Sequence, residues 1–260
     1  MSVSFVTIGG MNLEYRYHKA GKGDHPVLVF LHEGLGCVAL WRDFPARIAE
    51  RTGCDALVYS RAGYGNSSPV ALPRPVRFMH DEATALGGLL TACGLTDVIL
   101  VGHSDGASIA LIYAGMVKCA GIRALVLEAP HVFVEPGCLE SIAKIGEVYR
   151  TSDLRSRLEK HHGINVDTAF HGWNEVWLNP DFKHWNIEGY LPAIDKPVLV
   201  IQGTGDEYGT VGHIESIQRN VPGSVEVVMV PDCGHAPHRE HPELTEERMG
   251  EFIGRVTADR

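Results

Sequence analysis

The sequence lacks the features that mark membrane-spanning, secreted and metal-binding proteins. No apolar stretch reaches the roughly 18 residues of a membrane span. No basic segment followed by an apolar run opens the chain, so no signal peptide is predicted. The six cysteines show no metal-binding spacing and are too sparse for a disulfide framework. We therefore expect mostly buried thiols, no metal site and a cytoplasmic protein.

Positive charge is also scarce. Lysine and arginine number 23 against 32 for aspartate and glutamate, which gives a formal net charge of −9. This balance weighs against nucleic-acid and anionic-membrane partners, because phosphate groups attract basic surfaces. The remaining composition, 45% hydrophobic and 21% charged, is typical of a globular chain. The oligomeric state stays open.

What the sequence does contain is a series of short apolar runs. Two alternating stretches, residues 3–8 and 13–18, surround Gly9-Gly10 and predict an antiparallel hairpin, and a polar turn at 21–25 follows. Later runs are continuously apolar, which is typical of strands buried on both faces of a parallel sheet. These runs are residues 26–31, 56–59, 98–101, 124–127, 198–201 and 225–230.

Helical stripes separate the apolar runs. One stripe comprises Leu40, Phe44 and Ile48, and others begin at Met79 and Ile109. Strands that alternate with helices over most of a chain indicate an α/β class. We predict a doubly wound, mostly parallel sheet of about eight strands, with the antiparallel hairpin at its N-terminal end.

One segment breaks this alternation. Residues 131–190 contain no strand-like run, and a structureless loop of that length is improbable inside a compact domain. The segment instead carries two helical stripes, which are Leu139, Ile142, Ala143 and Val148, then Val166, Ala169, Phe170, Trp173 and Trp177. We therefore expect residues 1–130 and 191–260 to form one core, with 131–190 inserted after the sixth strand as a helical lid.

The motif that carries chemistry is G-x-S-x-G at residues 102–106, between an apolar run and a helical pattern. A sharp strand-to-helix turn forces Ser104 into strained dihedrals, and the flanking glycines Gly102 and Gly106 remove side chains that would clash there. The hydroxyl then stands at the C-terminal edge of the sheet, above a helix N-terminus that favours negative charge. Ser104 is the candidate nucleophile, although serine is also a common helix cap.

A serine nucleophile needs a base, and the base needs an acid that orients it. His235 follows the last predicted strand in a glycine-containing loop, and Asp206 follows the strand before it. Both residues therefore belong to loops at the edge where Ser104 lies. The chain order is serine, aspartate, histidine, and we predict these three residues to be catalytic.

At this point the chain resembles the α/β-hydrolase fold superfamily. LHEGLG at residues 31–36 is similar to its His-Gly oxyanion loop, SRAGYGNS at 60–67 to its D-x-R-G-x-G-x-S loop, and GHAP at 234–237 to its catalytic-histidine loop. The lid also falls where this superfamily inserts caps. The resemblance covers essentially the whole chain, and it implies a hydrolase that uses no cofactor.

The resemblance assigns further roles. It implies that the main-chain N–H groups of Gly34 and Asp105 bind the oxyanion. It also favours Asp206 as the acid over its neighbour Glu207, whereas Glu128, at the end of the sixth strand, holds the position that some members use. Asp232 lies too close to His235 in sequence to reach it in the usual way.

One residue departs from the superfamily pattern. Glu33 stands where a glycine usually follows the oxyanion-loop histidine. In one interpretation, the Glu33 side chain turns away from the site and pairs with a loop cation. In the other, its carboxylate lies near the site, where it disfavours anionic substrates or holds a water. We expect a Glu33→Gln substitution to change the preference for substrate charge only in the second case.

Other residues are candidates for the substrate pocket. His103 is expected beside the serine turn, and Phe170, Trp173 and Trp177 belong either to the lid core or to an apolar pocket wall. The spacing of His235, His238 and His241 superficially suggests a metal site. The stretch contains a proline and is no regular helix face, so we predict no metal there and place His238 and His241 on the surface.

The sequence thus predicts a serine hydrolase that cleaves a small to medium carboxylic ester or lactone through an acyl-enzyme. Its partner is a small-molecule substrate, with no cofactor, nucleic acid or membrane. Two alternatives remain among enzymes: hydrolysis of a C–C bond in a β-diketone or vinylogous ketone, and hydrolysis of a thioester. A small-molecule receptor derived from a hydrolase remains as a non-enzyme alternative. An aspartate nucleophile, as in haloalkane dehalogenase relatives, is disfavoured by Ser104.

Overall fold

The computed structural model describes residues 3–21 and 25–258, and within them eight strands form one sheet. Residues 22–24, most of the predicted turn at 21–25, lie outside the described residues. The strands are β1 (Ser4–Ile8), β2 (Met11–His18), β3 (Val27–Leu31), β4 (Ala56–Tyr59), β5 (Val98–His103), β6 (Ile122–Glu128), β7 (Val198–Gly203) and β8 (Val225–Val230). They lie in the order β1-β2-β4-β3-β5-β6-β7-β8. The predicted α/β fold is confirmed.

The sheet is mixed in the predicted way. Strands β1 and β2 pair antiparallel across Gly9 and Gly10, whose φ angles of 56° and 83° suit glycine in a tight hairpin turn. Strand β2 pairs antiparallel with β4, and all later pairs are parallel. Because parallel strands end at the same edge, the loops after β3, β5, β6, β7 and β8 meet there.

Helices cover both faces of the sheet. The helices are α1 (Phe44–Thr52), α2 (Phe78–Ala92), α3 (Asp105–Met116), α4 (Pro136–Thr151), α5 (Leu154–His162), α6 (Val166–Trp177), α7 (Val211–Asn220), α8 (Pro237–Glu240) and α9 (Pro242–Ala258). Leu28 and Phe30 of β3 pack with α1 and α9, whereas Val29 and Leu31 pack with α2 and α3. This alternation follows the two-residue period of a strand and produces two cores, one on each face.

Helices α4, α5 and α6 lie between β6 and β7, as do two short 3-10 helices after α6, Pro180–His184 and Glu188–Ala193. Ile142 of α4 and Trp173 of α6 belong to the core on the α2 and α3 side. The α6 stripe is buried as predicted. None of the described helices is long and apolar enough to cross a membrane.

Three local expectations were wrong. Strand β8 is only partly buried because it is the edge of the sheet. The stripe from Leu40 to Ile48 is divided between a 3-10 helix, Val38–Trp41, and α1, since Arg42 between them has a φ of 54°. In α4, Ala143 and Val148 are exposed, and the buried face instead carries Cys138, Ile142 and Tyr149.

Candidate active site

Ser104 occupies a strained turn between β5 and α3. Its φ of 53° and ψ of −120° lie outside the regions that a residue with a side chain normally adopts. The main-chain N–H of Ser104 donates to the carbonyl of Glu128 at 2.9 Å, which ties the turn to β6. A Cβ atom added to Gly106 would lie 2.1 Å from the carbonyl oxygen of Leu31, so only glycine fits there. The turn agrees with the strained geometry expected for a serine nucleophile.

Asp206 and His235 are joined across the loops that follow β7 and β8. Nδ1 of His235 lies 2.9 Å from each carboxylate oxygen of Asp206. The side-chain amide of Gln202 and the main-chain N–H of Tyr208 also donate to this carboxylate, at 2.7 and 2.8 Å. Burial alone would raise the pKa of Asp206, but its contacts with His235 outweigh that effect and lower it. An ionised Asp206 fixes the proton of His235 on Nδ1 and leaves Nε2 as the basic nitrogen.

Ser104 and His235 both line one cavity of about 260 Å³ at the carboxyl edge of the sheet. No hydrogen bond joins the two side chains among the described residues. Much of the cavity wall is apolar and comes from Leu35, Leu40, Cys138, Ile142, Leu158 and Trp173.

Gly34 and Asp105 line the same cavity. Within residues 3–21 and 25–258, neither main-chain N–H group donates a hydrogen bond to a protein acceptor. A Cβ atom on Gly34 would meet the Trp173 indole at 2.2 Å, so α6 packs directly against this loop. The guanidinium of Arg61 donates to the carbonyls of His32 and Glu33 and holds the loop from behind. Two free amides on rigid supports suit an anionic oxygen.

The side chain of Asp105 is fully buried. One carboxylate oxygen accepts from the indole N–H of Trp177 at 3.2 Å, and the other has no hydrogen-bond partner among the described residues. Burial raises the pKa of Asp105 to about 6, against a smaller opposing effect of Arg61. Trp177, one of the candidate pocket residues, therefore both lines the cavity and supports the residue that follows Ser104.

Glu33 lines the cavity and also lies near two basic side chains. One oxygen lies 3.6 Å from the guanidinium of Arg239 on α8, and the other lies 3.8 Å from Nδ1 of His103. Burial alone would raise the pKa of Glu33, but His103 and Arg239 together hold it well below its ordinary value. The structure thus combines both expectations for Glu33, since the side chain pairs with a loop cation and still borders the site.

The rival acid, Glu128, has a different partner. Its carboxylate accepts from the main-chain N–H of His238 at 3.0 Å and lies 2.9 Å from Nδ1 of the same residue. His238 is buried against the rings of Trp41 and Phe44, so the prediction that it lies on the surface was wrong. The sequence could not show this, because the contact depends on how α8 folds back over the end of β6.

The structure brings most candidate pocket residues to the cavity. Glu33, His103, Trp173 and Trp177 line it, but Phe170 does not. Phe170 instead stacks on Tyr149 with ring centres 3.5 Å apart, inside the contact between α4 and α6. No group of metal-ligating side chains is found among the described residues.

Sequence reasoning missed three polar residues of the cavity wall, namely His131, Tyr208 and Arg239. His131 is buried, and its Nδ1 has no partner in the described part of the chain. Burial, reinforced by the neighbouring His213, holds the pKa of His131 well below its ordinary value and keeps the ring neutral. Its position three residues after β6, at the carboxyl edge, was the signal that could have identified it.

A serine on a strained strand-to-helix turn, in one cavity with a carboxylate-bound histidine, is an arrangement that suits an α/β hydrolase. The model of the alpha/beta hydrolase family matches residues 28–248, and the chain belongs to that family.

Characterised relatives cover most of the chain. The human serine hydrolase BPHL is 28% identical over 90% of this chain and 80% of its own length. A 2-hydroxy-6-oxo-6-phenylhexa-2,4-dienoate hydrolase of Burkholderia cepacia is 22% identical over 96% of this chain and 95% of its own length. Among solved structures, a bacterial membrane phospholipase A superposes with a TM-score of 0.78 at 22% identity and covers 98% of this chain and 86% of its own. That likeness shows the fold alone.

Proposed function

We propose that this protein is a serine hydrolase that cleaves a small to medium carboxylic ester or lactone through an acyl-enzyme. Ser104 is the nucleophile, His235 the general base and Asp206 the acid that orients it. The observation that carries the proposal is the bond between Asp206 and His235 at the wall of the cavity that also contains Ser104. A carboxylate, an imidazole and a strained serine in this order form a catalytic unit.

The mechanism follows from these positions. Nε2 of His235 takes the proton as the Ser104 hydroxyl attacks the substrate carbonyl, and Asp206 stabilises the resulting imidazolium. The N–H groups of Gly34 and Asp105 bind the oxyanion of the tetrahedral intermediate. His235 then gives its proton to the departing alkoxide, which leaves an ester on Ser104. Water, deprotonated by His235, hydrolyses that ester and restores the serine.

The cavity supports the substrate class. Its volume of about 260 Å³ is at the small end for ligand pockets, and its apolar side chains suit a short hydrocarbon acyl group. Six of its lining residues belong to the segment 131–190, namely His131, Cys138, Ile142, Leu158, Trp173 and Trp177. We therefore propose that 131–190 is a lid on a core made of 1–130 and 191–260. The six unpaired cysteines, five of them buried, accord with a proposed cytoplasmic location.

Hydrolysis of a C–C bond is the second candidate. Arg239 lines the cavity and is 38% exposed, so it offers a cation to a substrate carboxylate. The Burkholderia relative is named for the hydrolysis of a dienoate, which is a substrate with a carboxylate. Against this candidate, Glu33 already lies 3.6 Å from the guanidinium and competes for it. Thioester hydrolysis uses the same residues and is separated from ester hydrolysis only by assay.

The test is a substrate panel with Ser104→Ala as the variant and Ser156→Ala, on the exposed part of α5, as the matched control. The panel contains p-nitrophenyl esters of increasing acyl length, a lactone, a thioester and a β-diketone. We expect short esters or a lactone to turn over many times and Ser104→Ala to reduce kcat by about four to six orders of magnitude. Full esterase activity in Ser104→Ala would overturn the proposal. Turnover of the diketone alone would favour C–C hydrolysis, and a single turnover would indicate a receptor.

A further inference from the structure

The Glu33 carboxylate lies where its own loop after β3, the end of β5 and α8 meet. It folds back over its own loop, because a Cβ atom on Gly36 would meet Oε2 of Glu33 at 2.2 Å. The same oxygen lies 3.8 Å from His103, the residue before Ser104, and Oε1 lies 3.6 Å from Arg239, four residues after His235. One side chain therefore touches the candidate oxyanion loop, the serine turn and the histidine loop.

The hydrogen bonding of His103 fixes one proton on Nε2 and leaves Nδ1, which has no hydrogen-bond partner among the described residues, beside Glu33. Nε2 of His103 lies 2.8 Å from the main-chain oxygen of His235, and a carbonyl only accepts, so Nε2 carries a proton. A neutral ring would then direct the lone pair of Nδ1 towards the carboxylate of Glu33. Protonation of Nδ1 replaces that repulsion with an ion pair.

The other groups around His103 do not reverse this conclusion. Glu128 at the end of β6 adds a second negative charge, and the rings of His235 and His238 lie 5.2 and 5.1 Å away. Further groups nearby are the Trp41 ring, the Arg239 guanidinium beyond Glu33, and His131, whose pKa is lowered in part by His103. Burial alone would lower the pKa of His103, but Glu33, together with Glu128 and the main-chain oxygen of His235, outweighs burial and raises it.

We propose that Glu33 is a positioning residue, which acts through a cationic His103 to hold the Gly34 loop, the Ser104 turn and the His235 loop in the geometry that hydrolysis requires. The path runs from the Glu33 carboxylate to Nδ1 of His103 and from Nε2 of His103 to the main chain of His235. The proposal rests on the proposed function, because only a hydrolase needs these three loops aligned. It assigns Glu33 no contact with substrate, since Oε1 lies beside the Arg239 guanidinium and Oε2 beside Nδ1 of His103.

The experiment uses Glu33→Gln, His103→Gln and the double variant, with Glu226→Gln as the matched control. Glu226 on β8 pairs with Arg255 of α9, and neither residue lines the cavity. Values of kcat and KM for a short p-nitrophenyl ester are measured across pH. The imidazole resonance of His103, assigned by its loss in His103→Gln, is titrated by NMR in wild type and in Glu33→Gln.

We expect Glu33→Gln to lower kcat about tenfold, less than the hundredfold or greater loss that follows removal of an oxyanion donor, and to change KM less than about twofold. The NMR pKa of His103 should lie above its ordinary value in wild type and fall in Glu33→Gln. Because the cation is lost as pH rises through that pKa, wild-type kcat should decline on the alkaline side, and Glu33→Gln should decline at lower pH. In the double variant, Glu33→Gln should lower kcat little further than His103→Gln alone does.

Three results would overturn the proposal. The first is a wild-type His103 that is neutral at neutral pH, which is measurable even if Glu33→Gln does not fold. The second is a Glu33→Gln variant that changes KM for charged esters and leaves kcat and the His103 titration unchanged, as a substrate-contacting carboxylate would. The third is additivity in the double variant. The NMR titration requires no turnover. It therefore tests the role of Glu33 separately from the hydrolase assignment, whose failure would appear as full activity in Ser104→Ala.

Discussion

The buried carboxylate of Glu128 lies 2.9 Å from Nδ1 of His238, three residues beyond the histidine that Asp206 binds. Two carboxylate–imidazole pairs therefore occur side by side at the carboxyl edge of the sheet. Of these two pairs, the pair of Asp206 and His235 has its ring in the cavity wall, whereas His238 is packed against Trp41 and Phe44. The two acids are thus expected to have different roles, and substitution separates them.

The first prediction concerns the identity of the acid. Asp206→Asn should lower kcat about 10⁴-fold, because an amide no longer fixes the productive tautomer of His235 or stabilises its cation. Glu128→Gln should keep kcat within about tenfold of wild type and instead lower the free energy of unfolding, since it breaks a buried pair with His238. Steady-state kinetics and thermal unfolding of both variants provide the measurement. The assignment is reversed if Glu128→Gln loses activity and Asp206→Asn keeps it.

The second prediction concerns the pH dependence of stability at Asp105. Its pKa rises from 3.8 to about 6 on folding, so the folded protein binds this proton more tightly than the unfolded chain. Ionisation therefore weakens folding, and the cost grows from about pH 4 to about pH 6 and is complete above that range. Asp105→Asn keeps an acceptor for Trp177 and should stabilise the protein by roughly 2–3 kcal/mol at about pH 8.

Chemical denaturation of Asp105→Asn at about pH 8 and about pH 4 checks this, because the gain should shrink at the lower pH. Asp81→Asn is the control. Asp81 forms an exposed pair with Arg77, so its removal should change stability by less than about 1 kcal/mol at either pH. Equal stabilisation by Asp105→Asn at both pH values would contradict the prediction.

The third prediction concerns the wall of the cavity. Ile142 of α4 is buried and lines the cavity, whereas Ile145, almost one turn further along the same helix, packs against the core without lining it. Ile142→Ala should enlarge the pocket and shift the preference among p-nitrophenyl esters towards longer acyl groups, by about tenfold in relative kcat/KM.

Ile145→Ala is the matched control and should leave the chain-length profile unchanged. Both substitutions remove buried hydrocarbon, and Ile142→Ala should cost about 2–4 kcal/mol of stability. The measurement is kcat/KM for each ester together with thermal unfolding. A profile that moves equally in both variants would show that the shift comes from loss of packing and not from the cavity wall.

The fold was predictable because its signals are local. Each strand of the parallel part contains a continuous apolar run, and Gly9-Gly10 marks the hairpin. The turn at Ser104 was predictable for the same reason, since the two glycines and the strand and helix beside it are adjacent in sequence. The apolar run of β8 did not show that this strand lies at the edge of the sheet, because the residues of one strand do not specify how many strands pair with it.

The candidate site was predictable only in part. Asp206 and His235 follow successive strands of a parallel sheet, so topology alone brings them to the same edge as Ser104. Phe170 and Trp173 share the buried stripe of α6, and the packing of α6 on α4 decides that Trp173 reaches the cavity and Phe170 does not. His131 lies in the loop after β6 and Arg239 on the short helix α8, and no local pattern specifies where either segment runs.

The sequence by itself therefore determined the α/β fold, the serine turn and the order of the three proposed catalytic residues, because these depend on hydrophobic period, glycine position and strand order. Only the tertiary structure decided the partners of the charged side chains. Glu33 follows β3, His103 ends β5 and Arg239 belongs to α8, and Glu128 meets His238 across the sheet edge. Coulomb interactions depend on distances in space, and these distances arise only after β3, β5 and α8 have packed together.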